Sequence, residues 1–87
     1  MEMREFRWNS EKNELLKRTR GISFEEIIQC RRIDIIKNPN RLSQKFLLYE
    51  YENYVWVVPF VDTGEDRFLK TIFPSRKYTK IYLGGGQ

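Results

Sequence analysis

The chain has no histidine and only one cysteine among its 87 residues. Histidine is the side chain that most often moves protons near neutral pH, and histidine and cysteine hold most zinc ions in proteins. Their scarcity argues against histidine acid–base catalysis and protein-bound zinc, and we expect neither a metal nor a cofactor. Cys30 has no partner for an intrachain disulfide. We interpret it as a small buried apolar side chain in a protein stabilised by packing in a reducing compartment.

Long hydrophobic runs are also missing. No apolar stretch approaches the roughly 20 residues that span a bilayer, and the N-terminal sequence MEMREFRW is too charged for a secretory signal. We therefore expect a cytoplasmic protein with no membrane partner. A chain of 87 residues, 40% of them hydrophobic, can build one core. We predict a single domain over residues 1–87.

Positive charge is distributed unevenly along the chain. The formal net charge is +4, yet residues 45–66 hold one base and five acids, whereas residues 67–87 hold five bases and no acid. A second basic group, Lys17, Arg18 and Arg20, lies in the first third of the sequence. Clustered bases favour a polyanionic partner such as nucleic acid over a small neutral substrate, with a solvated basic surface as the alternative.

Capping signals predict a helix near the start of the chain. Asn9 or Ser10 can accept hydrogen bonds from the first N–H groups of a helix over residues 10–19. Gly21 follows as a stop signal, because glycine readily adopts the left-handed conformation that ends many helices.

A second, stronger helix-start signal lies directly after the first helix. Ser23 and Glu26 have the spacing of a capping box, in which each side chain accepts a hydrogen bond from the other residue's backbone N–H. Ile22 can pack on Ile27 as a hydrophobic staple. We predict a second helix over residues 23–31.

The pattern then changes to that of strands. Four β-rich runs separated by turn signals are predicted to form a meander, over residues 32–38, 45–51, 54–61 and 67–73. Residues 4–8 are a further short strand or an arm, and a last helix is predicted over residues 75–83. Pro59 marks an edge or a bulge, because proline lacks a ladder donor. These elements predict an α+β fold in which two N-terminal helices and a short C-terminal helix pack on one face of a four-stranded antiparallel sheet, with a groove on the other face.

The last helix begins with two cations where a helix prefers anions. If Ser75 caps this helix, Arg76 and Lys77 lie beside backbone N–H groups that carry a partial positive charge. Each basic side chain there destabilises the helix by about 0.3–1 kcal/mol, because it repels the positive end of the helix. A phosphate bound between them would turn this repulsion into attraction. We hypothesise that Arg76 binds a nucleic acid phosphate. The alternative is that both side chains point into water or meet glutamates elsewhere.

Aromatic side chains are interleaved with these bases, at Tyr49, Tyr51, Tyr54, Trp56, Tyr78 and Tyr82. Such rings can stack on the unpaired bases of single-stranded RNA, although a small domain uses most of its aromatic residues in the core. The acidic stretch over residues 62–66 is interpreted as a hairpin turn rather than a metal loop.

Two segments resemble a known family. Residues 6–27 resemble the opening of BrnT-like toxins of type II toxin–antitoxin systems, through Trp8, Asn9, Lys12, Gly21, Ile22, Ser23, Phe24, Glu25 and Glu26. Residues 73–82 are similar to that family's closing strand-to-helix segment, through Pro74, Ser75 and Arg76. The middle of the chain matches only in pattern.

The resemblance implies a compact α+β fold of the RelE/ParE type and ribonuclease activity on RNA. It also implies a cognate antitoxin that neutralises the toxin and through which the pair contacts operator DNA. By position it implies Lys12, Arg20 and Arg76 as active-site residues, although the family usually has histidine where this chain has Arg20. Arginine stays protonated near neutral pH, so it can stabilise a developing negative charge but cannot act as a general base.

The resulting hypothesis is metal-independent cleavage of RNA by its own 2′-hydroxyl group. Lys12, Arg20 and Arg76 would form an electrostatic clamp, and Tyr82 would supply a proton. Further RNA contacts are assigned to Lys17, Arg18, Lys77, Lys80 and Tyr78. The hypothesis requires the basic end of the first helix and the C-terminal segment to lie side by side.

Two other functions stay open. The same basic surface could bind nucleic acid, or block another macromolecule, without catalysis, and the missing histidine favours this alternative. The chain could also be an interaction module whose exposed edge over residues 56–61 pairs with a partner strand.

Overall fold

The computed structural model describes residues 5–84, where three helices and six strands form an α+β fold. In chain order the elements are β1 (Glu5–Arg7), α1 (Ser10–Arg20), α2 (Phe24–Ile27), β2 (Arg31–Lys37), β3 (Lys45–Tyr51), β4 (Tyr54–Asp62), β5 (Asp66–Leu69), β6 (Phe73–Pro74) and α3 (Arg76–Leu83). None of these three helices is long and apolar enough to cross a bilayer.

The sheet is larger than predicted and mixed rather than antiparallel. Strands β2 to β5 form the predicted antiparallel meander, in the order β5-β4-β3-β2. Strand β1 adds to β5 in parallel, and the run predicted as one strand over residues 67–73 divides into β5 and β6. Strand β6 pairs with β4 beyond the end of β5. The short strand that was one option for residues 4–8 is confirmed over Glu5–Arg7, as β1. The prediction of four strands in the sheet was wrong because the addition of β1 to β5 and of β6 to β4 depends on pairing with distant residues, for which the local sequence carries little signal.

Side chains of β3 and β4 alternate between two buried faces, as the two-residue period of a strand requires. The α1–α2 face is defined here by Leu47, Tyr49, Val58 and Phe60, and the α3 face by Phe46, Leu48, Val55 and Val57. The register places Leu47 opposite Val58 and Leu48 opposite Val57. Both strands are therefore apolar on both sides, which is typical of strands at the centre of a three-layer fold.

The α1–α2 face is covered by the first two helices and the segment between them. Leu16, Ile22, Phe24 and Ile27 are almost completely buried against it. Trp8 stacks on Phe24 with 5.5 Å between ring centroids. This cluster forms the larger part of the core.

Both N-terminal helices begin where the capping signals predict. The Oδ1 atom of Asn9 accepts the Lys12 N–H at 2.9 Å. Gly21 ends α1 with φ of 75°, a left-handed conformation that favours glycine. Ser23 and Glu26 form both hydrogen bonds of the capping box that begins α2.

Helix α2 is nevertheless a single turn, Phe24–Ile27, rather than the predicted helix over residues 23–31. After it the Gln29 N–H bonds to the Glu26 carbonyl and the Cys30 N–H to the Ile27 carbonyl. These bonds span three residues rather than four, so they tighten the chain into a turn. That turn leads directly into β2. Residue 31, which was predicted to be helical, pairs with β3 instead, so α2 does not continue.

Helix α3 lies on the opposite side of the sheet from α1 and α2. Tyr78, Tyr82 and Leu83 pack on the α3 face. Thr79 fixes the helix to β4, because its Oγ1 atom accepts the buried Val55 N–H at 2.8 Å. The prediction that all helices cover one face was wrong, since both faces of β3 and β4 are apolar and each needs a cover.

Strand β4 is central, so the expectation of an exposed edge over residues 56–61 was wrong. Pro59 lies where the neighbour of β4 changes from β5 to β6, and its carbonyl accepts the Lys70 N–H at 2.8 Å. In an antiparallel strand the nitrogen and carbonyl of one residue point to the same side. The Pro59 nitrogen, which carries no hydrogen, therefore faces the gap between β5 and β6. The proline removes no hydrogen bond between β4 and β3.

Candidate functional site

The sheet separates the four residues predicted to form one catalytic clamp. Lys12 and Arg20 belong to α1, which covers one face, and Arg76 and Tyr82 belong to α3, which covers the other. The basic end of α1 and the C-terminal segment therefore do not line a single pocket on either face. Sequence reasoning missed this separation because it placed α3 on the wrong side of the sheet.

Arg76 occupies the first helical position of α3, as predicted. The Oγ atom of Ser75 accepts the Tyr78 N–H at 3.1 Å and caps the helix, whose first turn contains no acidic residue. Arg76 and Lys77 are exposed, and neither forms an ion pair with a carboxylate of residues 5–84. The ammonium of Lys77 lies 5.4 Å from the centre of the Tyr78 ring. The beginning of α3 is thus an exposed cationic surface without an internal counter-ion in the described range.

Tyr82 is directed away from this cationic surface. Its hydroxyl donates a hydrogen bond of 2.7 Å to the Oδ2 atom of Asp34 on β2. This bond raises the pKa of Tyr82 above its ordinary value of 10.0. Arg76 and Tyr82 are six helical positions apart, which corresponds to a rise of about 9 Å and a rotation of about 240°. Tyr82 therefore joins α3 to β2, and its proton is committed to Asp34 rather than available beside Arg76.

The basic residues of α1 differ in their surroundings. Lys12 is half-buried, whereas Arg18 and Arg20 are exposed and have no carboxylate partner within residues 5–84. Lys17 pairs loosely with Glu14, at 3.5 Å. An exposed pair of this kind contributes little to stability, so it leaves the lysine accessible to another anion.

Most of the aromatic rings interleaved with the bases belong to the core. Tyr78 is half-buried and meets Phe46 edge-on at 6.4 Å between ring centres, with Tyr82 at the same distance. Tyr49 is 2% exposed. Tyr51 and Trp56 pack edge to face, with ring centres 5.7 Å apart. Packing leaves only part of the Tyr78 ring accessible for the predicted stacking on RNA bases. Lys80, on the same helix, is exposed.

Asn13 is an important residue that the sequence reasoning did not identify. Its side chain is 4% exposed, and its Oδ1 atom accepts the Phe24 N–H at 2.7 Å. Its amide nitrogen donates to Glu25 at 2.8 Å, which lowers the pKa of the Glu25 carboxyl. The available signal was an asparagine three residues before Leu16, on the inner side of α1. Its role is to fix the start of α2 to α1.

Comparison with known proteins provides no assignment: no family model, curated protein or solved structure matches the chain.

Proposed function

We propose that the chain is the toxin component of a type II toxin–antitoxin pair and that it acts on RNA in the cytoplasm. The support comes from the residues that carry the resemblance to BrnT-like toxins. Several of them have a structural role, as helix caps or core residues: Asn9, Gly21, Ser23, Phe24, Glu26 and Ser75. The side chains of Lys12, Arg20 and Arg76 form no hydrogen bond or ion pair within residues 5–84. Residues that packing and capping do not explain are candidates for a function.

Arg76 is the observation that carries the proposal. A cation at the first position of α3 repels the positive end of the helix, and no carboxylate in the described range compensates for it. A phosphate bound there would interact favourably with the helix N–H groups and with the guanidinium fork. RNA supplies such phosphates at regular intervals, so Lys77 and Lys80 could contact neighbouring phosphates of the same strand.

Cleavage, in this proposal, uses the 2′-hydroxyl of RNA as nucleophile. Its oxygen bonds to the adjacent phosphorus to give a 2′,3′-cyclic phosphate, and the bond from phosphorus to the 5′-oxygen breaks. Water accepts the hydroxyl proton and protonates the leaving 5′-oxygen. Arg76 stabilises the negative charge that develops on the phosphate, in the manner of an oxyanion hole. Lys12 and Arg20, on the other side of the sheet, then bind more distant phosphates rather than the reacting one, and Lys17 and Arg18 extend that surface. Tyr82 is not assigned to proton transfer, because its hydroxyl donates to Asp34.

A second candidate is RNA binding, or blocking of another macromolecule, without catalysis. It is favoured by the separation of Lys12 and Arg20 from Arg76, and by the absence of any histidine from the chain. Under this candidate the same cations hold RNA, and growth is inhibited because the bound RNA cannot be used.

Incubation of the purified protein with single-stranded RNA and EDTA distinguishes the two candidates. The Arg76→Ala variant is compared with Lys70→Ala, which removes an equal charge from the segment between β5 and β6. We expect only Arg76→Ala to weaken RNA binding and to reduce the salt dependence of the affinity by about one phosphate contact. Cleavage that is lost in Arg76→Ala supports the ribonuclease, and intact RNA that remains bound supports the second candidate. Absence of RNA binding by the wild type would refute the ribonuclease and the RNA-binding form of the second candidate, and would leave the blocking of another macromolecule.

The partner proposed for this toxin is an antitoxin protein, which would also be its route to operator DNA. The product of the neighbouring open reading frame is the natural probe. We expect the two purified proteins to form a complex in size-exclusion chromatography, and co-expression to restore growth. Growth that is unaffected by expression of this chain alone would contradict the toxin assignment.

A further inference from the structure

Strand β2 forms one border of the sheet. It extends over Arg31–Lys37 and pairs with β3, and within residues 5–84 no strand pairs with its other side. A border strand of seven residues presents backbone groups that can pair with an additional strand. Its first half is interrupted by a bulge at Ile33, between Arg32 and Asp34, so the regular part is residues 34–37.

Hydrogen bonds show which backbone groups of β2 point outwards. The Asn38 N–H points inwards, because it donates to the Gln44 carbonyl at 3.2 Å. N–H groups alternate in direction along a strand, so those of Lys37 and Ile35 point away from β3. The Ile35 N–H meets the Oδ1 atom of Asp34 at 2.8 Å, in agreement with this direction. The Lys37 N–H and the carbonyls of both residues are therefore directed towards the outside of the sheet.

The charges around this border are arranged unfavourably for the isolated chain. Lys37 lies directly opposite Lys45 on β3, and both are exposed. This is the non-hydrogen-bonded type of pair, in which side chains approach most closely, and like charges in such pairs are destabilising. Neither lysine forms an ion pair with a carboxylate of the described residues. The acid on the regular part of β2, Asp34, is already bonded to the Ile35 N–H and to Tyr82.

We propose that this border of the sheet binds an acidic, extended segment of a partner protein. The segment adds to β2 as a strand, bonds to the outward backbone groups of residues 35–37, and places carboxylates against Lys37 and Lys45. Ile35, 37% exposed and two residues before Lys37 on the same strand, provides an apolar contact for the bound segment. This proposal is independent of the RNA proposal, which concerns the beginning of α3.

Charge selects this occupant over two others. A second copy of the chain would bring its own Lys37 and Lys45 to the same border, so like charges would meet. RNA would satisfy the lysines, but it has no backbone that pairs with a β-strand, and it would place a charged phosphate or a base beside Ile35. An acidic peptide strand satisfies the lysines, the backbone groups and the apolar side chain together.

The binding test uses a synthetic peptide of ten residues in which valine and glutamate alternate. It is titrated at low salt into the full-length protein labelled with ¹⁵N. We expect shifts in the amide signals of β2 and β3, and about tenfold weaker binding by Lys37→Glu. Lys70→Glu changes the net charge equally and is expected to bind the peptide within about twofold of the wild type. Lys37→Glu should remain folded, because the new carboxylate would attract Lys45.

A second pair of variants separates strand pairing from simple charge attraction. Lys37→Thr and Lys37→Pro both remove the ammonium, but only proline also removes the outward N–H. Proline is tolerated on a border strand when its nitrogen faces solvent, and thermal unfolding verifies that both variants are folded. We expect Lys37→Pro to bind the peptide more weakly than Lys37→Thr. Equal affinities of these two variants would refute strand pairing.

Other results would overturn the proposal as a whole. One is binding of a valine–lysine peptide as tightly as of the valine–glutamate peptide. Another is a set of amide signal shifts confined to α3. A third is tighter binding of an oligouridylate than of the valine–glutamate peptide, measured at the β2 amides. Sedimentation that shows a wild-type dimer, and a monomer for Lys37→Pro, would assign the border to a second copy instead.

Discussion

The two faces of the sheet are held by different kinds of interaction. The α1–α2 face is covered mainly by fully buried apolar side chains, among them Phe24, Ile22 and Leu16. The α3 face has a smaller buried cluster, and α3 depends in addition on polar contacts from Thr79 to Val55 and from Tyr82 to Asp34. Segments with fewer buried apolar contacts open at lower free energy. We therefore infer that α3 opens before α1 and α2 do.

The same difference applies to charge. The beginning of α3 carries exposed cations on a helix with little apolar attachment, whereas the cations of α1 lie on a helix fixed by Leu16 and Asn13. A ligand that binds Arg76 would stabilise the packing of α3 on the sheet, which is less stable than the packing of α1 and α2. Ligand binding to the folded state always favours that state.

The largest expected effect is the loss of the Phe24 side chain from the α1–α2 face. Phe24→Ala removes a completely buried ring that stacks on Trp8, so we expect a loss of about 3–5 kcal/mol in the free energy of unfolding. Urea denaturation followed by tryptophan fluorescence measures it. A loss below 1 kcal/mol would show that this cluster is not the main core.

The next effect tests the polar attachment of α3. Thr79→Val leaves the Val55 N–H buried without its acceptor, at a cost of about 1–3 kcal/mol. Hydrogen exchange of amides in α3 should become faster while exchange in α1 stays nearly unchanged. Equal acceleration in both helices would contradict separate opening of the two covers.

A smaller effect is expected for Tyr82→Phe, which removes the bond to Asp34 and should cost about 1 kcal/mol near neutral pH. The raised pKa of Tyr82 means that the folded state holds this proton more tightly than the unfolded state. Its contribution is therefore complete below pH 10 and decreases as pH rises through the folded pKa. The wild type should lose more stability than Tyr82→Phe between neutral pH and pH 11, measured by urea denaturation. Parallel losses would show that the bond does not form in solution.

The smallest effect concerns the turn between β3 and β4, which contributes to both faces. Glu52 and Asn53 have φ of 54° and 62°, as in a two-residue type I′ hairpin. Glu52→Asn should raise the free energy of unfolding by about 0.5–1 kcal/mol, because asparagine adopts this conformation more readily. Thermal unfolding measures the gain. Because α3 opens while this hairpin stays folded, amide protection should rise in α1 and remain nearly unchanged in α3. An equal rise in both helices would contradict separate opening of α3.

Much of the local structure was predictable because its signals lie within a few residues. Asn9 and Gly21 delimit α1, Ser23 and Glu26 begin α2, and Ser75 begins α3, as the sequence indicates. Strand β3 has its predicted bounds. The candidate site was predicted less well. The exposure of Arg76 at the start of α3 agrees with expectation, but its association with Lys12 and Arg20 does not.

The failures share a physical cause, which is that they concern contacts between distant parts of the chain. The shortening of α2, the division of β5 from β6 and the central position of Pro59 all depend on which strands become neighbours. No local propensity encodes such neighbours, and the bond from Tyr82 to Asp34 joins residues 48 positions apart.

The sequence alone therefore determined the helix starts, the antiparallel meander from β2 to β5 and the excess of positive charge, because capping residues, β-rich runs separated by turn signals, and charge are properties of neighbouring residues. Tertiary structure decided which face each helix covers, which strand borders the sheet and which cations lie together. The reason is that β3 and β4 are apolar on both sides, so either face could accept any helix, and packing of the whole chain selects one arrangement.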